Sequence, residues 1–224
     1  MPTKNPYVGR FISFEGVDGS GKSSQLTRWK NYLQAYYEAL FRKTFFTKEP
    51  NVEHPSGREI YNLLQERHPT IKIGDMHPFE MQSYYFRNRA WHYRARVIPY
   101  LAKDFHVVSD RSSASICFGV SSPADFKPLI GIQEQVFLAA EVPFIWPDAI
   151  LIYDVSADVA RERGKDQNKT PDAFERDINF QMKVRDNYLA FAAQYPNCHI
   201  IDGSGRPEEV FVRTKEVLAA TFGF

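Results

Sequence analysis

The segment from Gly16 to Ser23, GVDGSGKS, matches the pattern G-x-x-x-x-G-K-[ST] at every fixed position. In loops of this kind backbone N–H groups surround phosphate oxygens, the lysine reaches the β- and γ-phosphates, and the last hydroxyl binds Mg²⁺. Residues 10–14 are rich in strand formers, and apolar residues at helical spacing follow the loop between positions 26 and 40. The order of strand, loop and helix predicts a phosphate site at the positive end of a helix.

Length and composition predict one soluble domain of the reduced cytoplasm. The 224 residues are enough for a full core, and we assign residues 10–224 to one domain and residues 1–9 to a flexible arm. The charge is balanced, with 28 Lys and Arg against 27 Asp and Glu, so no global field recruits nucleic acid or an anionic membrane. Cys117 and Cys198 lie far apart in no metal-ligand spacing, which favours reduced, buried thiols.

Short apolar runs alternate with longer helical patterns along the chain. This alternation predicts an α/β fold in which helices cover both faces of a parallel, five-stranded sheet. Ligands bind beyond the carboxyl ends of the strands in this architecture, so polar residues directly after strands are candidates for the site. The predicted strands are 10–14, 45–47, 106–109, 150–155 and 199–201, and the predicted helices lie near 25–42, 77–103, 132–141, 156–164, 173–195 and 207–221.

Polar pairs directly follow two of the predicted strands. Asp110 and Arg111 come after residues 106–109, where an acid can hold Mg²⁺ and an arginine can bind a phosphate through two hydrogen bonds. An exposed ion pair at a strand end is the alternative. Lys48 and Glu49 follow the strand at 45–47 and could serve a second phosphate or a sugar, or form an ordinary turn.

Tyr85 and Arg89 share one face of a predicted helix, because residues four apart lie one above the other. A ring beside an arginine could stack a nucleotide base and donate to its edge. Aromatic residues at this spacing also suit a core, and arginines also suit a solvated surface, so both interpretations stay open.

A basic cluster, Arg161, Arg163 and Lys165, ends a predicted helix. The polar stretch at 164–172 after it predicts an exposed, mobile loop, and the lid spans about 161–173. Such a lid could bring cations over a transferred phosphoryl group while excluding water. Cations also suit a helix C-terminus for purely structural reasons.

In order and spacing, these segments resemble the thymidylate kinase family over nearly the entire chain. The segment FEGVDGSGKSS at 14–24 is similar to the family's F-E-G-x-D-G-x-G-K-[ST]-T. The further matches are 47–50 with 57–60 to T-R-E-P…G-x-x-I, 85–92 to F-x-x-[DN]-R-x-x-H, 109–111 to S-D-R, 147–155 to P-D-x-x-x-x-L-D-V, and 174–189 to [FY]-E…V-R-x-x-Y-L.

The resemblance implies a P-loop NTPase fold, ATP as phosphoryl donor, dTMP as acceptor, Mg²⁺ as cofactor and a homodimer. The implied ATP-binding residues are Gly16, Val17, Asp18, Gly19, Ser20, Gly21, Lys22, Ser23 and Ser24. The implied acceptor-binding residues are Asp18, Lys48, Glu49, Tyr85, Arg89, Arg111, Ser115 and Glu175. The implied catalytic residues are Asp18, Lys22, Arg111, Arg161, Arg163 and Lys165, and the implied metal ligands are Asp18, Ser23 and Asp110. Because Gly19 carries no side chain, the resemblance places the catalytic cations in the lid.

The chain departs from the family pattern in the segment after Arg111. The family's D-R-Y-x-x-S-x-x-A-Y-Q keeps its serine at Ser115, but residues 112–120 lack the tyrosines and the glutamine that help the family to read thymine and exclude ribose. Lys48 stands where the family usually has arginine. Lysine lacks the planar set of hydrogen-bond donors that arginine offers to a phosphate. Three alternatives stay open: a kinase of another deoxynucleoside monophosphate; a deoxynucleoside kinase, since residues 110–112 resemble that family's [DE]-R-S; and a non-catalytic ATP-binding regulator.

Overall fold

Five parallel strands form one sheet in the order β2-β3-β1-β4-β5 in the computed structural model, which describes residues 3–165 and 172–223. All five residues of the central strand β1 are buried, because helices cover both faces of the sheet, and its sequence is accordingly mostly apolar. The predicted parallel sheet is therefore confirmed. The strands are β1 Phe11–Glu15, β2 Thr44–Lys48, β3 His106–Asp110, β4 Ala149–Asp154 and β5 Cys198–Asp202.

Helices connect the strands, and several begin at a proline, which suits the first turn because its missing N–H would have no partner there. A π-helical turn at Tyr93–Val97 joins α4 to α5, and a 3₁₀ turn at Ser113–Phe118 follows β3. The helices are α1 Lys22–Tyr36, α2 Glu38–Arg42, α3 Pro55–Leu64, α4 Pro78–His92, α5 Ile98–Leu101, α6 Phe126–Ala139, α7 Ala157–Lys165, α8 Ala173–Arg176, α9 Ile178–Gln194 and α10 Pro207–Phe222.

Several helices differ from those predicted, and the helix predicted near 25–42 divides at Tyr37 into α1 and α2. Helix α3 was not predicted; it begins after His54, whose side chain accepts a hydrogen bond from the backbone N–H of Ser56. Helix α6 begins at Phe126, six residues before the predicted start at 132. The helix predicted over 173–195 divides at Asp177, whose carboxylate accepts from the backbone N–H of Phe180 and so starts α9.

Three apolar clusters hold the elements together. Phe11, on one face of the sheet, packs in the largest cluster, and Phe14, on the opposite face, packs in the second with Trp29 of α1. The third cluster is smaller and joins α3 to α4 through Ile60, Leu63 and Met81. Tyr85 packs against this third cluster, which fixes one wall of the site described below.

The N-terminal residues from Thr3 onward contact the rest of the domain, and the flexible arm at 1–9 stays a prediction. Thr3 pairs with Ile145 in an isolated parallel bridge, and the Asn5 amide donates to Asp148 Oδ2 at 2.7 Å. These partners are distant in the sequence, so composition did not reveal them. Met1 and Pro2 lie outside the described residues. Over the part of the chain that the structure covers, no helix is long and apolar enough to cross a membrane.

Candidate active site

The phosphate loop joins β1 to α1 and follows a path that requires glycine. Gly19 has a φ of 79°, and a Cβ placed on it would lie 2.2 Å from the carbonyl oxygen of Ala160 in α7. Gly21 directly precedes α1 with a φ of 91°, in the left-handed region. The loop therefore leads into the N-terminus of α1, where backbone N–H groups and the helix dipole favour an anion.

Asp18 lies between two cations that come from different segments. Its Oδ1 accepts from Arg111 Nη2 at 2.6 Å and lies 3.4 Å from Lys22 Nζ. Lys22 is buried, with 7% of its surface exposed. The structure thus brings together three residues that the sequence predicts for the site, and their charges meet where the phosphate loop faces the end of β3.

Arg111 is positioned by both its backbone and its side chain. Its φ of 72° is unusual for a residue with a side chain, and its N–H donates to Phe14 O at 2.9 Å. The guanidinium carbon lies 4.7 Å from the ring centre of Phe118. Burial acts to lower the pKa of Arg111, but Asp18 and other acidic groups outweigh it and raise the pKa well above its ordinary value. Arg111 is therefore a fixed positive charge.

Ser23 and Asp110 provide oxygen atoms suited to Mg²⁺. Ser23 Oγ donates to Asp110 Oδ2 at 2.5 Å, while the buried Asp110 Oδ1 has no hydrogen-bond partner among the described residues. Within residues 3–165 and 172–223, no three His, Cys, Asp or Glu side chains cluster as a metal site. Mg²⁺ usually takes one or two protein oxygens together with phosphates and waters, so this pair fits an ion held mainly by phosphates.

A cleft of about 640 Å³, partly open to solvent, lies beside Asp18 and Arg111. Of the predicted acceptor residues, Glu49, Tyr85 and Ser115 also line this cleft, although they come from three separate segments. Its lining combines charged side chains with aromatic and apolar ones, as a nucleotide needs. The lining residues are Asp18, Glu49, Pro50, Tyr61, Leu64, Gln82, Tyr85, Arg111, Ser115, Phe118, Asp172 and Phe174.

Glu49 belongs to a buried ionic cluster at the end of β2. Arg89 Nε donates to Glu49 Oε2 at 2.6 Å, and His92 Nδ1 lies 3.3 Å from Glu49 Oε1. Arg89 also donates to Gln133 Oε1, and His92 Nε2 lies 2.8 Å from Thr47 Oγ1. Burial acts to raise the pKa of Glu49, but Arg89 and His92 outweigh it and lower the pKa. Arg89 lies behind Glu49 and is not among the cleft-lining residues.

Glu15 is a second buried carboxylate, and the sequence analysis assigned it no role. It accepts four hydrogen bonds: from the backbone N–H of Ser112 at 2.6 Å and from the hydroxyls of Ser112, Ser115 and Tyr188 at 2.9, 2.8 and 2.9 Å. Burial raises the pKa of Glu15, and Arg111 with the hydroxyl donors only partly opposes this shift. The sequence did carry a signal for such a cluster, because Glu15 ends an otherwise apolar strand. A buried acid of this kind must receive hydrogen bonds from nearby donors.

The predicted acceptor residues Lys48 and Tyr85 differ in their position relative to the cleft. Lys48 is exposed at the end of β2 and does not line the cleft. Tyr85 lines the cleft, and burial raises the pKa of its hydroxyl, which therefore stays neutral. In the phosphate loop, Val17 and Ser20 are buried, and Ser24 is exposed on α1.

The lid cations are only partly described. Arg161 is exposed on α7, whereas Arg163 donates from Nη2 to Gly203 O at 3.0 Å and Gly205 O at 3.2 Å. The side chains of Lys165 and Glu175 lie outside the described residues. At the far end of the lid, Asp172 and Phe174 line the cleft, a contact that the sequence analysis did not predict.

Comparison with known proteins finds the same family along the chain. The family model described as thymidylate kinase matches residues 14–213. A thymidylate kinase of Jannaschia sp. (strain CCS1) is 34% identical over 203 residues, covering 89% of this chain and 91% of that protein. A thymidylate kinase of Thermosipho africanus (strain TCF52B) is 31% identical over 212 residues, covering 93% and 96%.

A solved structure supports the fold assignment. The crystal structure of a thymidylate kinase from Ehrlichia chaffeensis matches with a TM-score of 0.67 at 22% identity and covers 94% of this chain and 98% of that chain. At this identity the match shows the fold alone. The predicted P-loop NTPase fold, with a five-stranded parallel sheet between helices, is confirmed.

Proposed function

The chain belongs to the thymidylate kinase family, and we propose that it transfers the γ-phosphoryl group of ATP to dTMP, giving ADP and dTDP. The observation that carries the proposal is the placement of Asp18, which lies 3.4 Å from Lys22 Nζ and 2.6 Å from Arg111 Nη2. Lys22 belongs to the donor loop and Arg111 follows β3 at the acceptor cleft. A reaction between two phosphates requires both cations close together.

On the donor side, residues 16–24 bind the triphosphate of ATP at the N-terminus of α1. Ser23 and Asp110 would hold Mg²⁺, and the ion would neutralise charge on the phosphate oxygens. The bonds from Arg163 to Gly203 and Gly205 hold the loop after β5 near α7 and the phosphate loop. Arg163 therefore orders the donor site as well as adding positive charge to it.

On the acceptor side, Arg111 binds the phosphate of dTMP and Tyr85 stacks against the base. Asp18 lies near the sugar 3′-hydroxyl. Glu49 and Ser115 also line the acceptor cleft. Lys48 and Glu175 are proposed acceptor contacts on the resemblance alone. For Arg89, contact with the base edge requires an N–H that neither Glu49 nor Gln133 accepts.

The chemistry needs positioning and charge rather than a base. A phosphate oxygen of dTMP attacks the γ-phosphorus of ATP, the new P–O bond forms, and the bond to the β-phosphate oxygen breaks to release ADP. Because the nucleophile is already an anion, no proton has to be removed. Lys22 and the lid cations Arg161, Arg163 and Lys165 offset the charge that develops on the transferred group.

An assay of ADP release with Mg·ATP tests the proposal directly. The acceptors are dTMP, dUMP, ribosyl TMP, dCMP, the purine deoxynucleotides and free thymidine. We expect the highest kcat/KM with dTMP. Turnover of thymidine without turnover of dTMP would identify a deoxynucleoside kinase instead, and no turnover with any acceptor would favour a regulator.

A variant of Arg111 tests whether this residue serves the acceptor and not the donor nucleotide. Replacing Arg111 by Ala removes charged hydrogen bonds to the acceptor phosphate, so KM for dTMP should rise about 10- to 100-fold while ATP affinity changes little. Arg42→Ala is the matched control, because Arg42 pairs with Glu38 on the exposed surface of α2. Equal loss of ATP and dTMP binding would contradict the assigned role of Arg111.

The resemblance also supports a cytoplasmic homodimer. Sedimentation of the purified chain tests the assembly, and a monomer across the working concentration range would contradict it. Activity lost on chelation and restored by added Mg²⁺ tests the cofactor.

A further inference from the structure

Gln82 is a polar cleft residue to which the family pattern gives no role. It lies on α4, and 3% of its surface is exposed. Its Oε1 is buried and has no hydrogen-bond partner among the described residues. A buried acceptor oxygen without a donor is unfavourable, so its position in a substrate cleft indicates that a ligand supplies the donor.

The position of Gln82 depends on the glycine opposite it. A Cβ placed on Gly119 would lie 2.2 Å from Gln82 Cγ and 2.9 Å from its Nε2. Gly119 is the position where the family pattern D-R-Y-x-x-S-x-x-A-Y-Q has tyrosine. The side chain of Gln82 thus occupies space that a side chain at 119 would take, and it supplies this part of the cleft wall.

We propose that Gln82 Oε1 accepts a hydrogen bond from the imide N3–H of the acceptor's thymine base, which makes Gln82 a specificity-determining residue. The inference rests on the proposed function. Bound dTMP offers two kinds of donor, the sugar 3′-hydroxyl and N3–H, and Asp18 is assigned to the hydroxyl. Gln82 precedes Tyr85 by three residues on α4, so both side chains lie on one helix face. The edge of a base stacked on Tyr85 therefore lies next to Gln82.

This contact selects thymine and uracil over cytosine. Cytosine carries a lone pair rather than a proton at N3, and that lone pair would face the Gln82 oxygen and be repelled. A site that is built to accept a particular donor rejects analogues without it, because its buried polar group is left unpaired. Gln82 on α4 therefore supplies base recognition that the family's usual residues would provide from the segment 112–120, where this chain lacks them.

The test compares binding of dTMP and N3-methyl-dTMP to the full chain by calorimetry. Wild type should bind N3-methyl-dTMP at least about 10-fold more weakly than dTMP. Gln82→Met keeps the length of the side chain but removes the acceptor oxygen. In this variant the ratio of the Kd for N3-methyl-dTMP to the Kd for dTMP should fall to about threefold or less, mainly through weaker binding of dTMP. Gln135→Met is the control, because Gln135 is exposed on α6, and it should keep the wild-type ratio.

A second variant tests the contact without changing residue 82. Gly119→Ala forces the Gln82 side chain aside, so the ratio should fall as in Gln82→Met. Gly131→Ala is its control, because a Cβ at that glycine meets no described atom within 4 Å. A wild-type ratio retained in both Gln82→Met and Gly119→Ala would overturn the assignment.

Two other results would overturn it in different ways. If the N3-methyl ratio is unchanged in Gln82→Met but the preference for dUMP over UMP changes, the Gln82 oxygen serves the sugar. If wild type binds dTMP and N3-methyl-dTMP equally, no group reads N3–H. Binding of dTMP without ADP release would instead count against the proposed function and leave the binding ratios to decide the role of Gln82.

Discussion

Glu15 and Glu49 are both almost fully buried beside the acceptor cleft, yet their environments shift their pKa values in opposite directions. Glu15 receives its hydrogen bonds from one backbone N–H and three hydroxyls. Glu49 receives its bonds from the guanidinium of Arg89 and the ring of His92. Burial raises the pKa of Glu15, whereas Arg89 and His92 overcome burial and lower the pKa of Glu49.

The difference shows that the number of hydrogen bonds does not decide the charge of a buried acid. Neutral donors can stabilise either the acid or the anion, but a guanidinium in direct contact stabilises only the anion. The Glu49 cluster is therefore an ion pair, and its partners depend on one another. The Glu15 cluster holds the segment after Arg111 in place through Ser112 and Ser115, and it depends less on charge.

The largest expected effect follows from breaking the ion pair. Glu49→Gln leaves the buried Arg89 without its carboxylate, so the free energy of unfolding at pH 7 should fall by about 3–5 kcal/mol. Ionised Glu49 stabilises the fold above its ordinary pKa of 4.5, and this contribution is lost as pH falls through the lowered pKa. The difference between wild type and Glu49→Gln should therefore shrink below pH 4.5 in urea titrations.

Glu15→Gln should have a smaller effect with the opposite pH dependence. The amide keeps one oxygen for the Ser112 N–H, so we expect a loss of about 1–3 kcal/mol in the same urea titrations. Because the folded pKa of Glu15 is raised, its stabilising contribution is complete below pH 4.5 and declines as pH rises through the raised pKa. The difference between wild type and Glu15→Gln should be greatest at low pH; slopes of the same sign for both variants would refute the comparison.

Tyr188→Phe should have the smallest effect. It removes one of the three hydroxyls that donate to Glu15, and we expect a loss of about 1 kcal/mol in the free energy of unfolding. The pH at which the Glu15 contribution is lost should move upward, because one donor to the anion is gone. A loss as large as that of Glu49→Gln would contradict the role of Tyr188 as one neutral donor among four.

The sequence predicted most of the sheet because each strand is a short apolar run between polar segments. Strand β1 lies one residue from its prediction, at Phe11–Glu15 rather than 10–14. Helix α3 was missed because Pro55 and Gly57 resemble a loop, although Ile60, Leu63 and Leu64 have helical spacing. Local patterns identify elements well, but they mark helix starts poorly where proline or glycine lies in the first turn.

The site was predictable where it is contiguous and less so where it is assembled. The phosphate loop is a single segment, so the sequence alone predicts all of its residues. Lys48 is the last residue of β2 and is exposed, whereas Glu49 directly after it is buried in the cleft wall, where it pairs with Arg89. Gln82 had no sequence signal, since its role depends on its contact with Gly119 from a distant segment.

The close approach of α7 to the phosphate loop restricts how this site can be rebuilt. A Cβ on Gly19 would lie 2.2 Å from the carbonyl oxygen of Ala160, so any larger residue at 19 must push α7 away. That helix carries Arg161 and Arg163. An arginine grafted into the loop would therefore displace these charges instead of adding to them. An arginine in the loop is incompatible with the present position of α7. A redesign must therefore change residue 19 and the position of α7 together.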